Sequence, residues 1–233
     1  MKDWCVIKND LVRIALDEET LWTNPNGSKI RENNPAMLAE LERYWTAVPN
    51  IIPHDMAVRS AGNREAWSAA FICSVFKDAG VELADGFVFR RRHLAYIVGA
   101  LRNRENSDQT RPFWLFDRTE LLLEAFPQRS DLICYNRFDD DGNYSDHSYE
   151  SLRNRFAGNN IDPTGVSHTN LVVEVSDING QTIIKTVGGN LSESVRFVFH
   201  RVDGNRIMET DAAGNDLNED VDVFAVIKNL ECP

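Results

Sequence analysis

The order of two residue patterns along the chain limits the fold more than any other feature of the sequence. In the first part, apolar residues recur every three to four positions in segments 6–22, 35–48, 65–80 and 91–104, which predicts amphipathic helices. After Pro127, apolar runs in segments 131–135, 168–175, 182–187, 195–202 and 221–227 predict strands. Asn179-Gly180 predicts a tight hairpin turn. Residues 49–62 are predicted to be a connector, and residues 211–220 an acidic loop. Helices followed by antiparallel strands predict an α+β fold rather than a parallel sheet.

Length and charge narrow the class of protein further. The chain has 233 residues and 42% hydrophobic residues, enough for the core of a single domain. We expect residues 1–60 to form an N-terminal helical part and residues 61–233 to form the core that carries any site. The net charge of −11 argues against nucleic-acid binding, because phosphate contacts need clustered Lys and Arg.

The sequence also bears on location. It contains no run of about eighteen apolar residues, so we expect no membrane span. The first residues lack the apolar core of a signal peptide. We therefore expect a protein that is cytoplasmic when made, with export by a route without a cleaved signal as the open alternative. The cysteines have no paired spacing, and Cys73 and Cys134 are predicted to be buried thiols.

Segment 65–80 contains a polar residue where its pattern requires an apolar one. Trp67, Phe71 and Val75 are among the residues that share one helical face, and Ser68 lies near the middle of that face, in the first turn. A hydroxyl in this place is either a local cap or part of a site. The free N–H groups and partial positive charge of a helix start would stabilise an oxyanion or a thiolate.

Trp67-Ser-Ala-Ala-Phe71 resembles the nucleophile helix of the NlpC/P60 and CHAP cysteine peptidases and amidases. Those families have Cys at the position of Ser68. The segment is most similar to a branch named as a domain of unknown function (DUF2272), whose pattern reads Trp-Ser-Ala-Ala-Phe-Ile. The resemblance implies that Ser68 is a feature of that branch.

Three further segments extend the resemblance over about residues 60 to 200. His168-Thr-Asn-Leu-Val-Val is similar to the family element Gly-His-Val, and Val187-Gly-Gly-Asn190 is similar to Gly-Gly-Asn. Pro127-Gln-Arg-Ser-Asp131 is similar to Pro-x-x-Gly-Asp, with Ser130 in place of glycine. The resemblance implies a papain-like fold, in which helices pack on an antiparallel sheet.

The resemblance implies a catalytic set of Ser68, His168 and Asn190. Ser68 would be the nucleophile, His168 would accept and return its proton, and Asn190 would hold the imidazole in the useful tautomer. Because a hydroxyl is not ionised in advance, Ser68 would need concerted general-base catalysis. This chemistry requires no cofactor and no metal.

Structural interpretations of the same residues remain open. Ser68 could bond its own backbone, His168 could be a structural histidine, and Asn190 could be a turn residue. His93 is interpreted as structural or as part of a pocket wall. Segment 139–150 spaces oxygen ligands as a calcium loop does but lacks glycine at the sixth position, so we interpret it as a solvated acidic loop.

Two classes of function follow from the resemblance. The first is an amidase or endopeptidase that acts on the peptide of bacterial peptidoglycan, secreted or carried by a phage as an effector. Its partners would be the cell-wall peptide and an immunity or delivery protein. The alternative is a catalytically inactive papain-like binding module, which the replacement of Cys by Ser68 favours. A third interpretation is that the natural gene encodes Cys at position 68.

Overall fold

The computed structural model describes residues 2–121, 125–138, 142, 144–156, 165–204, 206–220 and 222–230. The helices are α1 (Trp4–Leu21), α2 (Leu38–Trp45), α3 (Pro53–Ala61), α4 (Ser68–Asp78), α5 (His93–Glu105) and α6 (Tyr149–Arg155). Short 3₁₀ turns occur at Pro35–Met37, Leu83–Asp85 and Arg118–Glu120. The strands are β1 (Phe113–Asp117), β2 (Leu132–Tyr135), β3 (His168–Ile178), β4 (Gln181–Leu191), β5 (Ser194–Asp203), β6 (Arg206–Thr210), β7 (Asp216–Asp220) and β8 (Val223–Asn229).

The strands form one antiparallel sheet in the order β1-β8-β2-β3-β4-β5-β6-β7. The predicted α+β class is confirmed. Asn179 and Gly180 both have positive φ angles, 55° and 79°, and they form the predicted hairpin between β3 and β4. The last strand, β8, lies between β1 and β2 and pairs with both of them.

Two predictions about connecting segments are wrong. The predicted connector from Pro49 to Gly62 contains α3, which begins at Pro53; proline is favoured at the first helical position because its missing N–H would have no partner there. The predicted acidic loop over residues 211–220 contains β7. This strand is the edge of the sheet, where charged side chains are common because they discourage pairing with other chains.

A stack of aromatic rings fixes the start of α4. The ring of Trp67 lies 4.9 Å from that of Trp22 and 5.7 Å from that of Tyr44, and all three side chains are fully buried. Trp22 Nε1–H donates a hydrogen bond to Tyr44 Oη at 2.7 Å, and Trp67 Nε1–H donates to the carboxylate of Glu32. Each aromatic pair contributes about 0.5–1.5 kcal/mol beyond its buried area. The residue directly before Ser68 is therefore firmly held.

The sheet buries residues on both faces. Helices α1, α4 and α5 cover one face, where Leu171 and Val173 of β3 join the main core. On the other face a second apolar cluster contains Leu121, Ile133, Tyr135, Val172, Ile184, Ile207, Val223 and Val226. None of the helices in the described part of the chain is both long and apolar enough to cross a membrane.

Candidate functional site

Two helices and one strand begin next to each other, and each begins with a residue that can take part in catalysis. Ser68 is the first residue of α4, His93 the first of α5 and His168 the first of β3. Ser68 Oγ lies 2.7 Å from Nε2 of His93, and the two imidazole rings are 5.0 Å apart between centroids. The exposed fractions of the three residues are 4%, 5% and 3%. The three side chains therefore form a buried polar group at the point where α4, α5 and β3 begin.

Ser68 does not cap its own helix. The cap position of α4 is Trp67, which makes no side-chain capping bond, and the Ser68 hydroxyl pairs with His93 instead. Within the described residues, the cap position of α4 thus offers no side chain to the first N–H groups of the helix. The helix dipole and these N–H groups favour negative charge at this position.

Two hydroxyl groups hold the other nitrogen of His93. Nδ1 lies 3.0 Å from Thr169 Oγ1 and also contacts Tyr96 Oη, and the two hydroxyl oxygens are 2.6 Å apart. Tyr96 is three residues after His93, so both side chains share one face of α5. When Nδ1–H donates to these oxygens, Nε2 presents its lone pair to the hydroxyl proton of Ser68. This is the tautomer that a general base requires.

Burial keeps His93 neutral. It lowers the pKa of His93 well below the ordinary value of 6.5, and the nearby His168 and Arg137 lower that pKa further. A neutral imidazole at pH 7 can accept the proton of Ser68.

His168 has a separate partner. Its Nε2 lies 2.9 Å from Oδ1 of Asn170, and Nδ2 of Asn170 donates to Tyr135 Oη at 3.3 Å. Nε2–H of His168 therefore donates a hydrogen bond to Oδ1 of Asn170, which leaves Nδ1 of His168 with a lone pair. Burial lowers the pKa of His168 to about 3, and the charge of Arg137 acts in the same direction.

The structure brings Ser68, His93 and His168 together, but its hydrogen bonds differ from the predicted ones. The sequence predicted that Ser68 pairs with His168 and that Asn190 holds His168. In the described part of the chain Ser68 bonds to His93, and His168 bonds to Asn170. Asn190 lies near the end of β4, half-buried, with a left-handed φ of 55°. The catalytic roles of His168 and Asn190 stay predictions.

The two glycines before Asn190 provide space for the site. A Cβ atom on Gly188 would lie 2.0 Å from Oδ1 of Asn170, and one on Gly189 would lie 2.6 Å from Cβ of Phe71. Any side chain at Gly188 would displace the partner of His168, and any side chain at Gly189 would push α4 away from the sheet. The Gly-Gly pair is therefore needed for close packing on both faces of β4.

Sequence reasoning missed three residues of the site: Tyr96, Thr169 and Asn170. Two local patterns carry the signal. The spacing of His93 and Tyr96 places both on one helical face. The run from His168 to Asn170 alternates between sheet faces, so that Thr169 points to the helices and reaches His93 while Asn170 shares a face with His168.

The segment similar to Pro-x-x-Gly-Asp has a structural role. Asp131 is buried, accepts hydrogen bonds from the backbone N–H groups of Gln128 and Asn229, and forms an ion pair with Lys228. It thereby ties the turn before β2 to β8. Ser130, which stands where the family pattern has glycine, has a φ of 77°, and its buried hydroxyl has no hydrogen-bond partner in the part of the chain that the structure describes.

We expect Ser130→Gly to stabilise the protein by roughly 1 kcal/mol. Glycine removes the cost of a left-handed L-residue and the burial of an unpaired hydroxyl, and these gains exceed the extra chain entropy that glycine loses on folding. Urea unfolding measures the change. Ser130→Ala is the matched control, because it removes the hydroxyl and keeps the strain. A lower unfolding midpoint for the glycine variant than for alanine would contradict the strain argument.

The structure also bears on the predictions about the cysteines and about a metal site. Cys73 and Cys134 are free and buried, as predicted, and burial raises the pKa of Cys73 to about 12. Among the described residues no group of three or more His, Cys, Asp or Glu side chains could hold a metal ion. Residues 139–141 and 143, which begin the predicted acidic loop, lie outside the described residues.

The fold and the site define an α+β protein with a buried serine–histidine pair at a helix start. A family model described as "Uncharacterized protein conserved in bacteria (DUF2272)" matches residues 36–228, a range that contains α4, α5, β3 and β4. The chain belongs to this family. No curated protein and no solved structure matches the chain.

Proposed function

We propose that this protein is a hydrolase of amide bonds in bacterial cell-wall peptide, with Ser68 as the nucleophile and His93 as the general base. The observation that carries the proposal is the 2.7 Å contact between Ser68 Oγ and His93 Nε2, with Nδ1 of the same ring held by two hydroxyl groups. Nucleophile, base and orienting group then stand in the order that acyl transfer by a serine requires.

The proposed reaction follows from this order. Ser68 Oγ attacks the carbonyl carbon of the amide while its proton passes to Nε2 of His93. The negative charge that develops on the carbonyl oxygen faces the first N–H groups of α4. His93 then gives the proton to the nitrogen as the C–N bond breaks, which leaves the acyl group on Ser68. Water attacks this acyl group and gives its proton to His93; the bond from the acyl carbon to Ser68 Oγ then breaks, and His93 returns the proton to Ser68. Neutral hydroxyls orient His93 here, whereas a carboxylate does so in the Ser-His-Asp triad.

Two observations support the substrate class, and a third supports the compartment in which the protein acts. The family is described as conserved in bacteria. The segments around Ser68, His168 and Asn190 resemble those of the NlpC/P60 and CHAP amidases and peptidases. Cys5 is disulfide-bonded, and disulfides persist mainly in oxidising compartments outside the cytoplasm. We propose that the protein is delivered to the periplasm or cell wall, with a delivery or immunity protein as partner.

The second candidate function is a binding module that holds cell-wall peptide without cleaving it. The low exposure of Ser68 and His93, 4% and 5%, favours this candidate, because a nucleophile must reach its substrate. The two candidates predict different fates for the same substrate, so one experiment separates them.

The test combines cell-wall digestion with active-site labelling. We expect the purified protein to release peptides from purified bacterial cell wall and a fluorophosphonate probe to add to Ser68, located by mass spectrometry of the digested protein. Heat-denatured protein is the control for both measurements. Binding to the cell wall with neither release nor an adduct at Ser68 would contradict the hydrolase and leave the binding module.

A further inference from the structure

We propose that a pocket at the C-terminal end of α4, called here the Lys77 pocket, binds a small carboxylate with an alkyl chain. The chain would lie against the apolar walls, and the carboxylate would bind Lys77 and Arg90. Lys77 follows Ser68 by nine residues on α4, which is about 13 Å along the helix axis. The inference goes beyond the proposed function, because it uses no residue of the Ser68 site.

Four segments around the end of α4 form the walls of the Lys77 pocket. They are the residues that follow α2, the last turn of α4, the segment after α4 and the segment that leads into α5. The pocket has a volume of about 330 Å³, and five of its lining residues are apolar: Ala47, Pro49, Val81, Leu83 and Phe89. The side chain of Leu83 is 66% exposed, so apolar surface continues to the rim. A hydrocarbon chain that displaces water from such walls gains free energy.

The other three lining residues are charged, and together they leave one positive charge. Lys77 and Arg90 are cations, and Glu82 is a carboxylate. Glu82 is already engaged, because it accepts the backbone N–H of Asp85 and lies 3.3 Å from Nζ of Lys2. Lys77 and Arg90 have no carboxylate partner among the described residues. The pocket therefore matches a ligand with a single negative charge, although the chain as a whole carries −11.

Both cations keep hydrogen-bond donors for a ligand. Lys77 Nζ donates to the carbonyl oxygen of Thr46 at 3.1 Å, and Arg90 Nη1 donates to the carbonyl oxygen of Phe89 at 3.1 Å. An ammonium has three N–H donors and a guanidinium has five, so within the described structure most of each set remains for a ligand. A carboxylate that accepts these N–H groups forms charge-assisted hydrogen bonds.

Internal hydrogen bonds hold the walls of the Lys77 pocket in place. The N–H of Val81 donates to the carbonyl oxygen of Phe76 at 2.9 Å, which fixes the chain where it leaves α4. The thiol of Cys73 donates to the carbonyl oxygen of Arg90 at 3.4 Å, which fixes the opposite wall to the same helix. Walls that are already ordered lose little freedom when a ligand binds.

The size of the Lys77 pocket favours a small molecule over a protein partner. Small-molecule sites have volumes of roughly 300–1,000 Å³ and a mostly apolar lining with a few polar groups. A stable protein interface uses roughly 20–30 residues on each side, whereas eight residues line this pocket. A phosphate monoester carries more than one negative charge at pH 7, so the single positive charge favours a carboxylate.

Calorimetric titration of the full chain at pH 7 tests the proposal with hexanoate, octanoate and decanoate. Each added CH₂ group that enters the pocket should tighten binding about fourfold. Octanol and octyltrimethylammonium have the same chain without the negative charge, and we expect both to bind roughly tenfold more weakly than octanoate. Octyl phosphate should bind no more tightly than octanoate.

Two variants locate the bound octanoate. Lys77→Gln/Arg90→Gln removes both cations and keeps the apolar walls, so it should weaken octanoate binding roughly tenfold and leave octanol binding unchanged. Ala47→Leu fills part of the pocket and should weaken both ligands. Arg13→Gln, which changes an exposed arginine on α1, is the matched control and should change neither. Circular dichroism checks the fold of each variant, and the double glutamine variant decides the matter if Ala47→Leu does not fold.

Several results would overturn the proposal. They are the absence of octanoate binding, an affinity that does not rise from hexanoate to decanoate, equal affinity for octanoate and octanol, and octanoate binding that is unchanged in Lys77→Gln/Arg90→Gln. Tighter binding of octyl phosphate than of octanoate would overturn the assignment of a carboxylate. None of these measurements involves cell-wall peptide or Ser68, so failure of the proposed hydrolase and failure of the Lys77 pocket are separate results.

Discussion

Ser68→Ala is expected to lower the release of peptide from cell wall by roughly 10⁴-fold or more. The change removes the atom that attacks the amide, and loss of the nucleophile leaves only the contribution of binding and of oxyanion stabilisation. The fold should remain, because the variant loses one buried hydrogen bond, worth about 1 kcal/mol, and adds no volume. Initial rates of peptide release, measured by mass spectrometry, give the ratio.

Ser74→Ala is the matched control for this variant. Ser74 lies on the same helix, is 1% exposed, and makes hydrogen bonds with Asp78 and Arg43. The Ser74→Ala variant therefore loses comparable hydrogen bonds, but these bonds do not involve the histidines. We expect its rate to stay within a few-fold of the wild type. A Ser68→Ala protein that is as active as Ser74→Ala would reject Ser68 as the nucleophile.

His93→Gln is expected to lower kcat by roughly 10²- to 10⁴-fold, the range that a general base contributes. Glutamine can place its amide near the position of Nε2 and hydrogen-bond with Ser68, but it cannot take up the proton. His168→Gln should cost less, because His168 bonds to Asn170 and has no hydrogen bond to Ser68 in the described residues. Steady-state kinetics of both variants on one peptide measure the difference.

The pH profile of the wild type tests whether the base is a buried imidazole, and the two histidine variants show which imidazole it is. An imidazole base is active only when neutral, so its rate falls as the pH drops below its pKa. Burial lowers the pKa of His93 below 6.5, so the acid limb of kcat/KM should lie below pH 6.5. A larger loss in His168→Gln than in His93→Gln would instead make His168 the base, as the sequence alone predicts.

The elements that local patterns specify were predicted well. The helix of segment 65–80 begins at Ser68 itself, and the Asn179-Gly180 hairpin forms as expected, because periodicity and turn residues act over a few positions. Helix α3 was missed because the prolines and polar residues of 49–62 resemble those of a loop, although Pro53 fits a helix start. The place of β8 between β1 and β2 has no local signal, because it depends on long-range strand pairing.

The site could be predicted only in part, because local patterns describe neighbouring residues and not the packing of elements that are distant along the chain. Ser68 is singled out as a polar residue in the apolar face of a clear helix pattern, whereas His168 enters only through the resemblance to the NlpC/P60 and CHAP families. The partner of Ser68 was not found, because His93 is 25 positions away and only the packing of α4 beside α5 joins them. Asn170 is not among the predicted residues, because the resemblance points to Asn190, the asparagine that follows the Gly-Gly pair. The glycines instead make room for Asn170 and for Phe71.

The central claim is that Ser68 and His93 act as one catalytic unit, and the double variant Ser68→Ala/His93→Gln tests it most directly. Residues that act together in one step show strongly non-additive losses. We therefore predict that the double variant releases cell-wall peptide no more slowly than Ser68→Ala alone. If the double variant instead loses the product of the two single losses, Ser68 and His93 act independently and the serine–histidine mechanism is contradicted.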